Sequence, residues 1–297
     1  MRILITGGTG FVGSHAVRAL AGSHELFATT RGQAPAELEG LAEWIEVDLA
    51  ARIDPSKLPV RLDAVVHLAQ SSRYADLPAG AEDVIAVNLE ATRQLLAHAL
   101  RAGAERFLLA STGGVYARSP EPLAEDAPLA PQNAYFASKL DAERALLDSG
   151  LQRVILRPFF VYGAGQRRML IAGLIRRVLE AEPIVIAGEP GLRSNPVHVA
   201  DAVAAIEAGL RTDADGAFNV GGPEVASISQ LVATIGELAA REPRLSNVEA
   251  DGGGDLIADV SRLRGELGVS PRIGLRDGLR EAIRDWRSGG DDLGSSV

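Results

Sequence analysis

A short apolar run, Arg2-Ile3-Leu4-Ile5, leads into TGGTGFVGSH (residues 6–15) and then into the helical pattern Ala16-Val17-Arg18-Ala19-Leu20. A strand, a glycine-rich turn and a helix in immediate succession are the unit from which the rest of the fold has to be read. Gly8, Gly10 and Gly13 fit G-x-G-x-x-G, while Gly7, Gly10 and Gly13 fit G-x-x-G-x-x-G. Glycine at these places permits a tight turn, close approach of a ligand's phosphates and close packing of helix on strand, with the helix N-terminus facing the anion. Glycine turns also serve as plain connections, so the surrounding pattern has to decide between a phosphate cradle and a bare turn.

The first half of the chain supplies that pattern. Strands are expected at Ile3–Thr6, Glu25–Thr29 and Trp44–Val47, in DAVVHLA (63–69), in RFLLAS (106–111) and from Arg153 to Pro158. Helices are expected through about Ala21, over Asp83–Arg101 and over Ala134–Leu147. DAVVHLA is almost wholly apolar, as in a strand buried on both faces, and Pro158 cannot continue a central ladder. Such β–α alternation predicts a parallel sheet with right-handed crossovers. The expected fold class is therefore α/β, a Rossmann-type doubly wound parallel sheet over residues 1–160, with segments of about 195–222 returning to it. The second half predicts helices at Arg168–Glu180, His198–Leu210, Ile228–Ala240 and Leu275–Trp286, with strands at Ile184–Ala187 and Ala217–Val220. Residues 161–288 read mainly as a smaller α/β substrate-binding lobe, and 289–297 as a flexible tail.

Composition narrows the partners. A net charge of −9 over 297 residues argues against a nucleic-acid surface. The absence of cysteine removes disulfides and thiolate chemistry; no metal site is expected. No apolar run reaches membrane-spanning length, so a soluble cytoplasmic protein is the expectation. The 30 basic residues include only two lysines, Lys57 and Lys139. One of them falls in NAYFASKLDAERALL (133–147), where Tyr135 and Lys139 stand four apart on one helical face. A free tyrosine has a pKa near ~10, and a neighbouring ammonium lowers it by stabilising the phenolate. The pair predicts a general acid/base for a hydroxyl proton. An incidental surface Tyr and Lys is the rival explanation, but lysine's scarcity weakens it. Arginine lacks the compact charge and tunable pKa of a lysine.

The glycine loop and the Tyr135-x-x-x-Lys139 pair together resemble the extended short-chain dehydrogenase/reductases, the NAD(P)-dependent sugar-nucleotide epimerase/dehydratase family. Further segments carry the resemblance in order along nearly the whole chain: HLAQ (67–70), VNLEAT (87–92), STGGVYA (111–117), RPFFVYGAGQ (157–166), NPVHVAD (195–201) and FNVGG (218–222). The resemblance implies a dinucleotide held at the loop by Gly7, Gly10, Phe11, Val12 and Gly13. Arg31, Asp48 and Leu49 follow the second and third strands, and Leu68, Ala69, Asn88 and Pro158 complete the implied contacts. Asp48 has a helix-capping role as its alternative. Tyr135 becomes the acid/base and Lys139 also holds the nicotinamide ribose. Thr112, ahead of Ser111, takes the position that hydrogen-bonds the reacting oxygen. Arg167, Arg168 and Arg193 are candidates for a nucleotide diphosphate, although Arg193 lies one residue off the family's spacing. A nucleotide-sugar substrate and a homodimer are the implied partners.

Two departures sharpen the reading. The family's 4,6-dehydratases carry an Asp-Glu pair after the hydroxyl residue, where this chain has Gly113 and Gly114. Dehydration loses its proton donor, and side-chain-free space is expected beside Thr112 in which a sugar ring can turn. The second strand ends in Thr30-Arg31, where NAD-specific relatives usually place an acidic residue on the ribose 2′-OH. An arginine there suits a 2′-phosphate, which favours NADP over NAD. The resulting expectation is an epimerase acting on a nucleotide-linked sugar by hydride removal and return. A ketone reductase using NADPH and a non-catalytic redox sensor are the alternatives.

Overall fold

The structure is a computed structural model that describes residues 1–249 and 254–289. Its first half runs β1 (Arg2–Thr6), α1 (Phe11–Leu20), β2 (Glu25–Thr30), β3 (Glu43–Glu46), β4 (Ala64–His67), α2 (Ala81–Ile85), α3 (Ala91–Arg101), β5 (Arg106–Ala110), α4 (Ala134–Leu147) and β6 (Gln152–Pro158). The second half continues with α5 (Met169–Leu179), β7 (Pro183–Ala187), β8 (Arg193–Ser194), α6 (Val199–Arg211), β9 (Gly216–Val220), β10 (Ala226–Ser227), α7 (Ile228–Ala239), β11 (Arg244–Val248), α8 (Ser261–Gly265) and α9 (Leu275–Arg287).

Seven strands form one sheet in the order β3-β2-β1-β4-β5-β6-β9, and every neighbouring pair is parallel. This is the doubly wound α/β arrangement, with its reversal of strand order between β1 and β4. Alternation along the strands explains why the sheet is covered on both sides. Ile3, Ile5, Val66 and Leu108 face one core with Ala16 and Val17 of α1 and Ala202 and Ile206 of α6. Leu4, Val65, Phe107 and Leu109 face the other, with Leu95 and Leu96 of α3 and Ala142 and Leu146 of α4. A third core joins α5, β7, α7 and α9 through Leu174, Ile184, Leu231 and Leu279.

Most expected elements are present with their ends within a residue or two, and β6 does end at Pro158. Pro158 pairs with Val220 of β9, while β5 pairs with β6 only as far as Leu156. Two differences have physical causes. The single helix expected over Asp83–Arg101 is divided, because Ala86–Glu90 adopts a π-helical turn. At that bulge the Thr92 hydroxyl donates to the Asn88 carbonyl at 2.7 Å, and Asn88 points inward, buried; π-bulges concentrate at functional sites. Strand β11 has no counterpart in the expectations. Its RLSNV sequence is exposed at every position, so it lacks the apolar alternation that marks a strand, and it is held by parallel pairing with β7. The expected tail lies, apart from Gly289, outside the described residues.

The β1–α1 turn shows why its glycines are needed. Gly7 has φ of +71°, and a Cβ there would sit 2.8 Å from the backbone of Ala69. A Cβ on Gly13 would lie 1.9 Å from the Gly7 carbonyl oxygen. Gly13→Ala is therefore expected to lever α1 off β1 at a cost of at least about 1–3 kcal/mol. Urea unfolding measures it; an unchanged midpoint would show that the turn relaxes freely.

Candidate active site

The carboxyl ends of β1, β2, β4, β5 and β6 open into one cavity of about 560 Å³. Gly7, Gly10, Phe11, Val12 and Gly13 form one wall, with Arg31, Asp48, Leu49, Leu68, Ala69 and Pro158 also lining it. Ser111, Thr112, Tyr135, Lys139 and Arg168 line the same cavity. Gly10 caps α1 without a side-chain hydrogen bond, and the first turn carries no acidic residue. That helix start keeps its amides for an anion. The cradle that a Cβ would fill and the uncapped helix end together fit a dinucleotide pyrophosphate. The helix-capping alternative for Asp48 does not hold: no helix starts directly after it, and its carboxylate accepts from the Ala50 amide at 2.9 Å across a local turn.

Tyr135 is in the first turn of α4 because Asn133 caps the helix, accepting from the Phe136 amide at 2.9 Å. Lys139 follows one turn later, 1% exposed, and donates to the carbonyl oxygens of Ala110 at 3.1 Å and Ala69 at 3.4 Å. Burial pulls its ammonium down to about 8, against a smaller upward pull from Glu143. The Tyr135 phenol is pushed upward by burial and by Tyr74, rather than lowered by Lys139 as expected. Its hydroxyl donates to Gln70 Oε1 at 2.5 Å. Ser111 and Thr112 separate in role: the Ser111 hydroxyl donates to buried Glu143, while Thr112 Oγ1 accepts from the Gly114 amide at 3.1 Å and keeps its own proton for another partner.

Three expectations change. Asn88 does not line the cavity. It lies behind it, accepting from the Ser71 amide at 3.1 Å and donating to Ser138 Oγ at 3.0 Å. Arg193 does not line the cavity either; it is bound to Asp255, with Nη2 2.6 Å from the carboxylate. The space expected beside Thr112 is already filled. A Cβ on Gly113 would meet the Phe159 ring at 2.7 Å, and one on Gly114 the Phe136 ring at 2.2 Å. The two glycines are needed to seat aromatic rings.

Arg167 lines the cavity with Arg168, but it is anchored to α9 by Asp285 at 2.5 Å and by the Trp286 ring at 5.0 Å. Gln70, Tyr74, Phe136, Phe160 and Met169 also line the cavity and were absent from the expected site. Phe160 (φ +49°) and Met169 (φ +76°) adopt left-handed backbone conformations, which for large side chains concentrate where function constrains the chain. No sequence signal marks a positive φ at a non-glycine residue. Tyr74 and Gln70 follow β4 in a segment without periodicity, and only its place after the strand that neighbours β1 identifies it.

Behind the cavity, His67 is fully buried between two threonines. Its Nδ1 meets Thr6 Oγ1 at 2.5 Å and its Nε2 meets Thr92 Oγ1 at 3.0 Å. Because Thr92 donates to the Asn88 carbonyl, it accepts from His67 Nε2–H, and Thr6 donates to Nδ1. Thr6 Oγ1 in turn accepts from the Ala69 amide at 3.4 Å, fixing the carbonyl that receives Lys139. Burial, helped by Lys139, lowers the imidazole to about 3.

A glycine cradle at the switch point of a seven-stranded parallel sheet, sharing a cavity with a Tyr–Lys pair, defines a dinucleotide-dependent enzyme of the short-chain dehydrogenase/reductase class. The chain belongs to the NAD dependent epimerase/dehydratase family, whose sequence model matches residues 3–221, and it is an enzyme of the extended type. It is 31% identical to a UDP-glucose 4-epimerase of Azospirillum brasilense over 96% of this chain and 91% of that protein. Its fold matches a UDP-glucuronic acid 4-epimerase from Bacillus cereus in complex with NAD, with a TM-score of 0.86 at 27% identity over 97% and 99% of the two chains. It also matches MoeE5 in complex with UDP-glucuronic acid and NAD, with a TM-score of 0.85 at 30% identity over 97% and 100%. Among the described residues there is no cluster of metal-binding side chains and no helix long and apolar enough to cross a membrane.

His67 gives the fold an acid limit. The imidazole is lowered from 6.5 to about 3 on folding, so below pH ~6.5 the unfolded chain binds a proton that the folded one refuses. Stability contributed by neutral His67 is complete above that pH and falls by about 1.4 kcal/mol per unit as pH drops toward about 3. Urea unfolding between pH 7 and 4 is expected to show this slope reduced by about one proton in His67→Gln. Parallel slopes in the two proteins would exclude His67 as the source.

Proposed function

We propose that the protein is an NAD(P)-dependent epimerase acting on a nucleotide-linked sugar at a carbinol carbon. The observation that carries this reading is the sharing of one cavity by the glycine loop and by Thr112, Tyr135 and Lys139; the UDP-sugar epimerases it resembles supply the substrate class. A dinucleotide held at Gly7, Gly10 and Gly13 would supply the hydride chemistry at the reacting carbon. The chain's own residues move the proton and hold the oxygen. Tyr135 takes the carbinol proton as the alcohol is oxidised and gives it back on reduction. The free proton of Thr112 is donated to the same oxygen, whose negative charge grows in the transition state. Lys139, one helical turn away, offers positive charge toward the phenolate against the upward push of burial on the Tyr135 phenol. The non-catalytic alternative gives no role to this acid/base set.

We assign the substrate's nucleotide end to Arg168 and the nearby second lobe, residues 161–288. Arg168 is close enough to Tyr74 to pull its phenol down against the stronger upward push of burial. Arg193 is held by Asp255 outside the cavity and takes no part at this end. Self-association into a homodimer is supported by Ile85, Leu100 and Leu147, which stand exposed on α2, α3 and α4. For the dinucleotide we favour NADP(H), because Arg31 follows β2 and lines the cavity with no carboxylate in its place.

One observation favours a second reading, net reduction of a ketone. The Phe136 and Phe159 rings occupy the room beside Thr112, and a ketone that need not turn over suits a filled wall. A substrate deuterated at the reacting carbon, with catalytic amounts of dinucleotide, separates the two. Deuterium retained at an inverted carbon supports the epimerase; stoichiometric loss of NADPH without an epimer supports the reductase.

Tyr135→Phe is expected to lower turnover by at least about 10²-fold while dinucleotide binding stays near normal, because only the ionisable hydroxyl is removed. Near-normal turnover would reject the assignment. Arg31→Ala is expected to weaken NADP(H) by roughly one to two decades and NAD(H) far less. Titration with both dinucleotides checks this, and equal losses would make NAD the cofactor.

A further inference from the structure

The hydroxyl at the centre of the proposed chemistry is hydrogen-bonded to Gln70, not to Lys139. Tyr135 Oη donates to Gln70 Oε1 at 2.5 Å, while Lys139 Nζ is engaged by the carbonyls of Ala69 and Ala110. The tyrosine ring itself is boxed in. Tyr74 and Phe136 lie against it, each with its ring centroid 5.4 Å away. Its backbone carbonyl accepts from Ser138 Oγ at 2.7 Å, and Ser138 is held by Asn88. Gln70 is therefore not what positions the ring. It controls the one feature left free, the partner of the hydroxyl.

The backbone on either side of Gln70 is fixed. The Ala69 amide donates to Thr6 and the Ser71 amide to Asn88. The side chain between them is exposed to the cavity. A carboxamide in such a place has two faces: Oε1 accepts from a phenol, and Nε2 donates to a phenolate. Half a turn about the last side-chain bond exchanges them, so one residue serves both proton states of Tyr135. A hydrogen bond to an ionised acceptor is roughly twice as strong as a neutral one, so the exchange favours the phenolate. The substrate oxygen needs the same phenol proton and must displace Oε1 to reach it.

We propose that Gln70 is a positioning residue that sets the proton state of Tyr135 through this reversible carboxamide contact and yields the hydroxyl to the substrate oxygen. The proposal rests on the reading of Tyr135 as the acid/base. Protein carrying ¹³Cζ-labelled tyrosine reports each of its four phenols, and loss of one signal in Tyr135→Phe identifies the relevant one. With NADP⁺ or NAD⁺ at saturation and no substrate, Gln70→Ala is expected to displace the Tyr135 signal at neutral pH. It is also expected to raise the pH of ionisation by about one unit. Gln70→Glu, whose ionised side chain accepts but cannot donate, is expected to raise it further. A merely structural glutamine would be replaced well by glutamate, so the order of the two variants tests the donor role. Both variants are expected to retain the thermal shift on dinucleotide binding, since Gln70 is exposed. A Tyr135 signal unmoved in both variants at neutral pH overturns the proposal. Unimpaired turnover in Tyr135→Phe, with the signals behaving as expected, would instead reject the acid/base reading and leave the Gln70 contact standing.

Discussion

Glu143 and Arg157 meet in a buried two-pronged ion pair, with Nε to Oε1 at 3.0 Å and Nη2 to Oε2 at 2.6 Å. Their exposures are 2% and 5%, so neither charge can be stabilised by water instead. Such a pair adds little net stability over an apolar substitute, but loss of one partner costs roughly 3–5 kcal/mol because the other charge is stranded. Burial works against the Arg157 charge, yet Glu143 and Tyr116 raise its pKa overall. The value of the pair is therefore geometric. It locks α4 to β6 one turn beyond Lys139, and its neighbours extend the lock. Ser111 donates to Glu143, Arg157 donates to Tyr116 at 2.6 Å, and Tyr116 donates to Asn219 of β9 at 2.8 Å. Tyr135 and Lys139 are consequently held against the ends of β5, β6 and β9 by a network in which each polar group is accounted for.

That network also explains how Ser111 and Thr112, adjacent and chemically alike, come to different uses. Ser111 faces inward and spends its proton on Glu143. Thr112 has its oxygen engaged by the Gly114 amide and its proton still available. Resemblance of segments distinguishes these residues only by alignment, whereas the direction of each hydroxyl gives the physical ground.

The parallel sheet was legible because its signals are local. An apolar run such as AVVH, buried on every residue, and a helix capped by Asn133 are both written in consecutive residues. Tyr135 and Lys139 were legible for the same reason, being four apart on one helix. What escaped depends on residues distant in the chain. Gly113 and Gly114 look like open space until Phe159, just after β6, and Phe136 of α4 arrive beside them. The π-turn at Asn88 is drawn inward by Ser71 and Ser138, 17 and 50 residues away, and no periodicity encodes it. Arg193 is near a motif in sequence, but Asp255, 62 residues further on, claims its side chain. Strand β11 has no apolar face to betray it.

Lysine at 139 in a chain built almost wholly with arginine follows from the shape of its pocket. The side chain is 1% exposed, and two backbone carbonyls converge on a single nitrogen. A guanidinium is planar, forked and charged at every accessible pH, whereas an ammonium is compact and titratable. Desolvation that brings this ammonium down to about 8 makes the folded state less stable at neutral pH than one with a solvated lysine, because the proton is held against the pull of burial. The fold tolerates that cost at a position facing the cavity, one helical turn from the tyrosine. Neutral His67, near enough for Lys139 to lower its imidazole, adds no second positive charge to the pocket. The cation is thus kept desolvated, with Glu143 as the charge that partly offsets its burial.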